Sequence, residues 1–411
     1  MKDYIKVLRL LVRISVGLLF IFSGYVKVID PVGSAIKFGE YFEAFHMHAF
    51  VPGALVFGIL LAVAELVMGI CLLLGIKVKL IAWATLAFMI FFTLLTFILA
   101  VFNPVSDCGC FGDAIKLTNW ETFYKNLIIL PFTLFIFLQR NNIKSCFSNK
   151  TEWFVLSVLV VYTTGIAIYA YRYLPLIDFM AYKVGNNIQE GRIFPEGASQ
   201  AVYDNTFIYE KNGEMQKFKI ESLPDSTWTF IDTESVLIEE GYIPPMADFV
   251  IADENGNFVT DEILDFSGYT VFITSVDLTN INQITAFKLN RIYNYCRENK
   301  MQFIMLTGSA DEEINTFLIQ NKVEYPIYFV DQTVLKSMVR TNPGMMLLHN
   351  AVILKKWSEY RIPSVKQFEK TVDANTDKLI SDYHCKEKKD TILITVVLLL
   401  FFLIMFLFKR Q

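Results

Sequence analysis

Six stretches of the chain, near 8–29, 54–75, 80–102, 124–139, 153–174 and 391–408, are almost unbroken in apolar side chains. Each approaches the ~20 helical residues that span a bilayer core, so each predicts a transmembrane helix. Pro131 interrupts the fourth, which a membrane helix tolerates where its neighbours satisfy the freed backbone group. Between the fifth and sixth the pattern turns polar. From 176 to about 240 there are short β-like runs with turn signals, and Thr206-Phe-Ile-Tyr-Glu ahead of Lys211-Asn-Gly-Glu predicts a hairpin. From 243 onward strands and helices alternate: a strand at 249–252 leads to a turn at 253–256, and buried strands are expected at 269–274 and 302–307. The spacing of Ile284, Phe287, Leu289, Ile292 and Tyr295 predicts a helix over roughly 280–299. Helices near 310–321 and 332–340, and strands near 326–330, 345–348 and 351–355, complete a small α/β domain. The expected fold class is an α-helical membrane bundle with an α/β soluble domain held between its last two spans.

Composition agrees with that pattern and removes some function classes. The chain of 411 residues is 54% hydrophobic and 19% charged, with mean hydropathy +0.41, too apolar for a soluble protein of this length. Its net charge of -4 comes without a basic stripe, which argues against nucleic acid as a partner. The first apolar run is too long for a signal h-region and has no A-x-A pattern after it, so it is expected to remain as a helix. Lysine and arginine collect at Lys2, Lys6, Arg9 and Arg13, at Lys77 and Lys79, at Arg140, Lys144 and Lys150, and at Lys409 and Arg410. With six spans these clusters share one side, which the positive-inside rule makes the cytoplasm. The loop at 30–53, the Cys-Gly-Cys loop and the polar region from about 176 to 390 then face outward, into the periplasm if the membrane is a bacterial inner membrane, where disulfides persist. Membrane lipid is thus the first expected partner.

Two resemblances follow from motifs. Ser23-Gly24-x-x-Lys27-x-x-Asp30-Pro31, Ala64-Glu65-x-x-x-Gly69 and Asp107-Cys-Gly-Cys-Phe-Gly-Asp113 make the first 140 residues resemble the redox-associated membrane family that includes MauE and DoxX, with the Cys-Gly-Cys-Phe-Gly run pointing to MauE. That resemblance implies a four-helix membrane core and a link to the maturation of a disulfide-rich periplasmic enzyme alongside a thioredoxin-like partner. Pro245-x-x-Asp248-Phe249, Asp253-x-x-Gly256-x-x-Val259 and Thr341-Asn342-Pro343 followed by Met345-Met-Leu-Leu are similar to thioredoxin-like proteins, the last around their cis-proline. Where those proteins carry Cys-x-x-Cys this chain reads Ser275-Val-Asp-Leu-Thr-Asn-Ile-Asn282, without sulfur. The domain order implied is a DoxX/MauE-like core at 1–145, a fifth span at 150–175, a β-rich connecting region at 176–242, a degenerate thioredoxin-like domain at 243–388 and a sixth span at 391–408.

The candidate chemistry centres on sulfur. Six cysteines in a chain this long are too few for a disulfide scaffold. Cys108 and Cys110 flank Gly109, the residue that lets a chain bend enough to bridge neighbours two apart. One reading is a thiol-disulfide relay to a membrane electron acceptor such as quinone, which would make the chain a component of an oxidoreductase; the other is a structural bridge. Glu65 falls mid-span, where a carboxylate is costly, and should face the bundle interior, to bind or protonate an acceptor or to hydrogen-bond a neighbouring helix. Lys27, near the outer end of the first span, is its nearest opposite charge, or else snorkels outward. His384 beside Cys385, just before the last span, offers a possible mixed-disulfide partner. Asn342 and Pro343 mark a docking surface for a periplasmic thioredoxin-like or disulfide-bearing client. Cys71 and Cys296 read as packing residues, Cys146 as a reduced thiol on the cytosolic side, and His46 and His48 as part of an interfacial segment in which Phe42, Phe45 and Phe50 touch lipid headgroups rather than as metal ligands. A non-enzymatic scaffold whose sulfur-free domain binds a partner is the competing function class.

Overall fold

The computed structural model describes residues 2–408 apart from Ser106, Lys144, Cys146, Glu196, Gln200, Ala201, Asn212, Gly213, Ser226 and Glu240. The expectations for Lys144, Cys146, Lys409, Arg410 and the two turn residues of the hairpin therefore lie outside the described residues.

The first half is helical: α1 (Lys2–Ile29), α2 (Pro31–Ala44), α3 (Ala54–Leu74), α4 (Val78–Phe102), α5 (Asn119–Gln139) and α6 (Asn149–Tyr173). Among the described residues four helical stretches are long and apolar enough to cross a membrane: His48–Leu74, Val78–Phe102, Asn119–Asn142 and Asn149–Tyr173. They coincide with the second to fifth expected spans, and α1 runs unbroken through the first. Local chemistry sets the ends. Gly75 closes α3 at φ +73°, Thr118 and Glu121 form a capping box at the start of α5, and the Ser148 side chain accepts from Thr151 N–H at the start of α6. Pro131 sits inside α5 without ending it.

The segment 30–53 differs from the open loop expected. Asp30 caps α2 by accepting from Gly33 N–H, and Pro31 occupies the first turn, where its missing N–H costs nothing. A 3-10 turn, His48–Gly53, then leads into α3. Phe42 is buried against Phe38, Phe50 and Phe57 rather than facing headgroups.

α1 packs chiefly on α3 through glycine. A Cβ on Gly24 would stand 2.3 Å from the Leu66 nitrogen, and one on Gly69 2.6 Å from the Ile21 nitrogen. Small residues let membrane helices approach this closely. Gly24→Ala is expected to force the helices apart and to lower stability by about 1–3 kcal/mol, the usual cost of overpacking; thermal unfolding in detergent measures it.

Residues 187–249 form a compact unit of their own. A short helix, α7 (Ile188–Arg192), precedes strands β1 (Val202–Lys211), β2 (Glu214–Lys219) and β3 (Thr229–Glu239), which make an antiparallel sheet in the order β2-β1-β3. The β1–β2 pairing, with Thr206 opposite Lys219 and Phe207 opposite Phe218, is the hairpin expected. Tyr209 packs edge-on against Phe218 and Phe230 across the strands, the contact that stabilises a small sheet.

The remaining residues belong to the same compact unit as the helical half. They run α8 (Thr260–Leu264), β4 (Tyr269–Ser275), α9 (Gln283–Glu298), β5 (Gln302–Thr307), α10 (Asp311–Asn321), β6 (Ile327–Phe329), α11 (Gln332–Met338), β7 (Gly344–His349), β8 (Val352–Ser358), α12 (Val365–Val372) and α13 (Thr376–Phe408), which carries the last expected span. The sheet order is β6-β5-β4-β7-β8. β4, β5 and β6 are parallel, and β7 and β8 return antiparallel. Central β4, whose Thr270–Ser275 are all buried, explains the apolar run there. The Asn342–Pro343 bond is cis, directly ahead of β7. This βαβ unit with a cis-proline and a closing hairpin is a thioredoxin-like fold. The strand expected at 249–252 reduces to single bridges from Ala252 to Phe258 and Phe329, because the Asp253–Asn257 turn reverses the chain at once.

Candidate functional site

The loop between α4 and α5 is held from three directions. Within it, Asp107 Oδ1 accepts from Gly109 N–H at 2.9 Å, and Gly112 N–H returns to the Gly109 carbonyl. Gly109 and Gly112 have φ +61° and +53°, and a Cβ on Gly109 would come within 2.8 Å of Lys37 Cγ. Glycine is thus demanded both by conformation and by space. The bend brings the Cα atoms of Cys108 and Cys110 to 5.5 Å, and the two are joined as a disulfide.

From α1 and α3 comes a buried ionic cluster. Lys27 donates its three hydrogens to Glu65 Oε2 at 2.7 Å, to Ser23 Oγ at 2.8 Å and to the Cys110 carbonyl. Ser23 Oγ also lies 2.7 Å from Glu65 Oε2 and 2.8 Å from the Cys110 carbonyl. Lys27 and Glu65 are 4% and 5% exposed, so Lys27 does not snorkel outward; its ammonium turns inward because a carboxylate and two further acceptors await it there. From α2, Tyr41 donates to the Cys108 carbonyl, and Lys37 pairs with Glu40 and Asp107, each at 2.9 Å. Both cysteine carbonyls are therefore fixed by proton donors on separate helices.

Both cysteines line a cavity of about 440 Å³, within the range of pockets that hold small organic ligands. Its walls are mostly aromatic and aliphatic, with Phe38, Phe88, Phe92, Leu95 and Ile129 among them, and its polar groups converge on the disulfide side: Ser23, Lys27, Glu65, Lys37, Tyr41 and Lys125.

The third direction is the thioredoxin-like domain. Arg340, three residues ahead of the cis-proline, donates Nε to Asp30 Oδ2 at 3.1 Å and Nη2 to Asp113 Oδ2 at 2.6 Å. It is 7% exposed. Burial pushes the Asp30 carboxyl up, while the Arg340 guanidinium and the Gly33 N–H pull against that rise.

The position of the missing Cys-x-x-Cys is closed by polar groups. Asn342 Oδ1 accepts from Ser275 Oγ and Val276 N–H, both at 2.9 Å, and its amide donates to the Asp277 carbonyl at 2.7 Å. Asn342 is half-buried and Pro343 is buried. His384 Nδ1 lies 3.5 Å from Glu387, Cys385 is exposed, and neither lines the cavity of Cys108 and Cys110. Cys71 and Cys296 are buried free thiols, and burial pushes the Cys296 thiol up to about 12, which keeps it an unreactive packing residue. Among the described residues no group of three or more His, Cys, Asp or Glu is placed to hold a metal.

Four residues that the sequence did not single out belong to the site: Lys37, Tyr41, Lys125 and Arg340. Lys37 and Tyr41 are four apart, one helical turn, and this signal was hidden while 31–44 was expected to be a loop. Lys125 stands at the amino-terminal edge of the expected span 124–139, ahead of Asn126, a weaker signal than that of Glu65 at mid-span. Nothing local marks Arg340.

The fold and site define a multi-pass membrane protein with a helical core around a disulfide and a thioredoxin-like soluble domain. Residues 5–139 match the family model described as Methylamine utilisation protein MauE, and residues 203–240 match one described as a domain of unknown function. No curated protein matches the chain. Among solved structures the thioredoxin-like part is similar to a thiol:disulfide interchange protein from Bacteroides sp., at 13% identity and TM-score 0.25, over 31% of this chain and 86% of that one. StoA from Bacillus subtilis is similar at 13% identity and TM-score 0.25, over 30% and 96%. The Bacterioferritin Comigratory Protein of Xanthomonas campestris is similar at 9% identity and TM-score 0.22, over 34% and 92%. Values this low leave the strand order and the cis-proline to carry the fold.

Proposed function

We propose that the chain is a membrane thiol-disulfide relay, in which Cys108 and Cys110 pass an electron pair from thiols outside the membrane to a lipid-soluble acceptor of the quinone class. The observation that carries this reading is the disulfide on the wall of an apolar cavity beside the buried Lys27–Glu65 pair. A reduced client thiolate attacks one sulfur, a second client thiol resolves the mixed disulfide, and the pair is left as a dithiol. The acceptor, seated in the cavity, takes two electrons and two protons from that dithiol and leaves as the quinol, and the disulfide re-forms. The client is a thioredoxin-like or disulfide-bearing protein outside the membrane.

The bacterial inner membrane is the proposed location, with both termini cytoplasmic and the soluble region periplasmic. Two contacts support a single basic end of the bundle: Arg13 lies beside the Gly75 turn, and Lys77 is 3.5 Å from Glu152 at the start of α6. The Cys108–Cys110 loop and Arg340 sit together at the opposite end. The thioredoxin-like domain, without sulfur at its usual site, serves as a binding module held next to the relay.

Alkylation-shift analysis of membranes, with a reagent that does not cross the bilayer, should find the pair oxidised at rest, opened by a dithiol reductant and closed again by added quinone. Replacing both cysteines by serine should abolish this cycle while leaving the protein in the membrane. A pair that stays oxidised through reductant and quinone alike would remove the relay and leave a scaffold.

A further inference from the structure

Three lysines reach the cavity, and they are not equivalent. Lys27 has all three hydrogens engaged by Glu65, Ser23 and the Cys110 carbonyl. Lys37 is held between two carboxylates, Glu40 and Asp107. Lys125, from the second turn of α5, lines the same cavity with its Nζ 4.4 Å from the centroid of the Phe111 ring, the residue after Cys110. It is within electrostatic reach of Lys27 and Glu65, yet among the described residues no carboxylate pairs with it. An ammonium held in an apolar, membrane-embedded wall without its own counter-ion is costly, and the face of one aromatic ring offsets only part of that cost. Fixed charge placed where negative charge develops is how a site lowers a barrier.

Resting on the relay reading above, we propose that Lys125 is a catalytic residue of the acceptor half-reaction, meeting the acceptor's carbonyl oxygen in the cavity. As the dithiol gives up its electron pair, charge gathers on that oxygen. Lys125 Nζ hydrogen-bonds it and hands it a proton, then regains one of the two protons that the thiols release, so the lysine is unchanged after each turnover. The second thiol proton goes to the other acceptor oxygen, and the sum is dithiol plus quinone giving disulfide plus quinol. Lys27 is a positioning residue in this scheme, since it holds the Cys110 carbonyl.

The test uses the full-length protein in detergent, reduced with dithiothreitol, freed of reductant, and then mixed with a short-chain benzoquinone; re-formation of the disulfide is followed by alkylation shift across a range of pH. Lys125→Met is expected to slow quinone-driven closure by about a hundredfold or more, the scale for losing one fixed donor at a developing oxyanion. It should also flatten the pH profile of closure. Lys125→Arg, which keeps the charge and the hydrogen bond but does not give up a proton, should recover only part of the rate and leave the pH profile flat. Lys125→Gln, which keeps a hydrogen-bond donor without the charge, stands in if the methionine variant does not fold, and should be slow with a flat profile. If wild type closes with quinone and the methionine or glutamine variant matches its rate and pH profile, the role of Lys125 is wrong while the relay stands. If wild-type dithiol is not closed by quinone at all, both fall together.

Discussion

Glu65→Ala is expected to be among the most damaging single changes in the membrane core. It leaves the Lys27 ammonium buried with only Ser23 Oγ and a peptide carbonyl as partners, in a cluster where both charged residues are almost fully enclosed. Removing one member of a buried pair typically costs about 3–5 kcal/mol, because the other charge stays desolvated without its counter-ion. Lys27→Met should cost a similar amount for the reverse reason, and the double variant should be less damaging than the sum of the two. Thermal unfolding in detergent measures all three. The functional consequence is separate from stability. Lys27 reaches the Cys110 carbonyl, so even the better-tolerated double variant should lose the fixed position of the loop and close its disulfide more slowly with quinone. A double variant that costs the full sum of the two singles would show that the pair does not act as a unit.

Arg340→Ala is the second large effect, and it acts between the helical core and the thioredoxin-like domain. The guanidinium bridges Asp30, which caps α2, and Asp113, which ends the Cys-Gly-Cys loop. Its loss strands two partly buried carboxylates, at up to about 3–5 kcal/mol. Arg340→Lys should recover only part of this, since a single ammonium does not reproduce a forked contact to two acids. Limited proteolysis is the direct measurement: the variant should expose cleavage sites between the helical core and the thioredoxin-like domain that wild type protects. An unchanged cleavage pattern would mean that other contacts, such as the buried Lys356–Asp178 pair at 2.7 Å, suffice to hold the domain.

How much of this was legible in the chain depends on the range of the interaction concerned. The apolar runs 54–75, 80–102, 124–139 and 153–174 became helices close to where they were expected, because in a bilayer a helix satisfies every backbone group within its own segment. Central strands β4 and β5 were equally plain, since burial on both faces needs a continuous apolar run. The helix α2 was not. Its face carries Lys37 and Tyr41 toward the disulfide loop and Phe42 toward other rings, a mixture that reads as an irregular surface segment until those partners are in place. The hairpin at 206–219 was legible through its turn residues and alternation, while the strand at 249–252 was lost to the turn that follows it.

What the sequence determined by itself was the membrane core, the soluble α/β domain, the absence of sulfur at 275–282 and the bent Cys108-Gly109-Cys110 pair. These rest on periodicity, on the length of apolar runs and on glycine at a turn, all of which act between neighbours along the chain. Only the tertiary structure decided that Lys27 turns inward to Glu65, that Tyr41 and Lys27 hold the two cysteine carbonyls, that Lys125 enters the same cavity, and that Arg340 reaches back 310 residues to Asp30. A buried charge takes whichever opposite charge the packing of helices brings within about 3 Å, and that pairing has no period in the sequence from which it could be read.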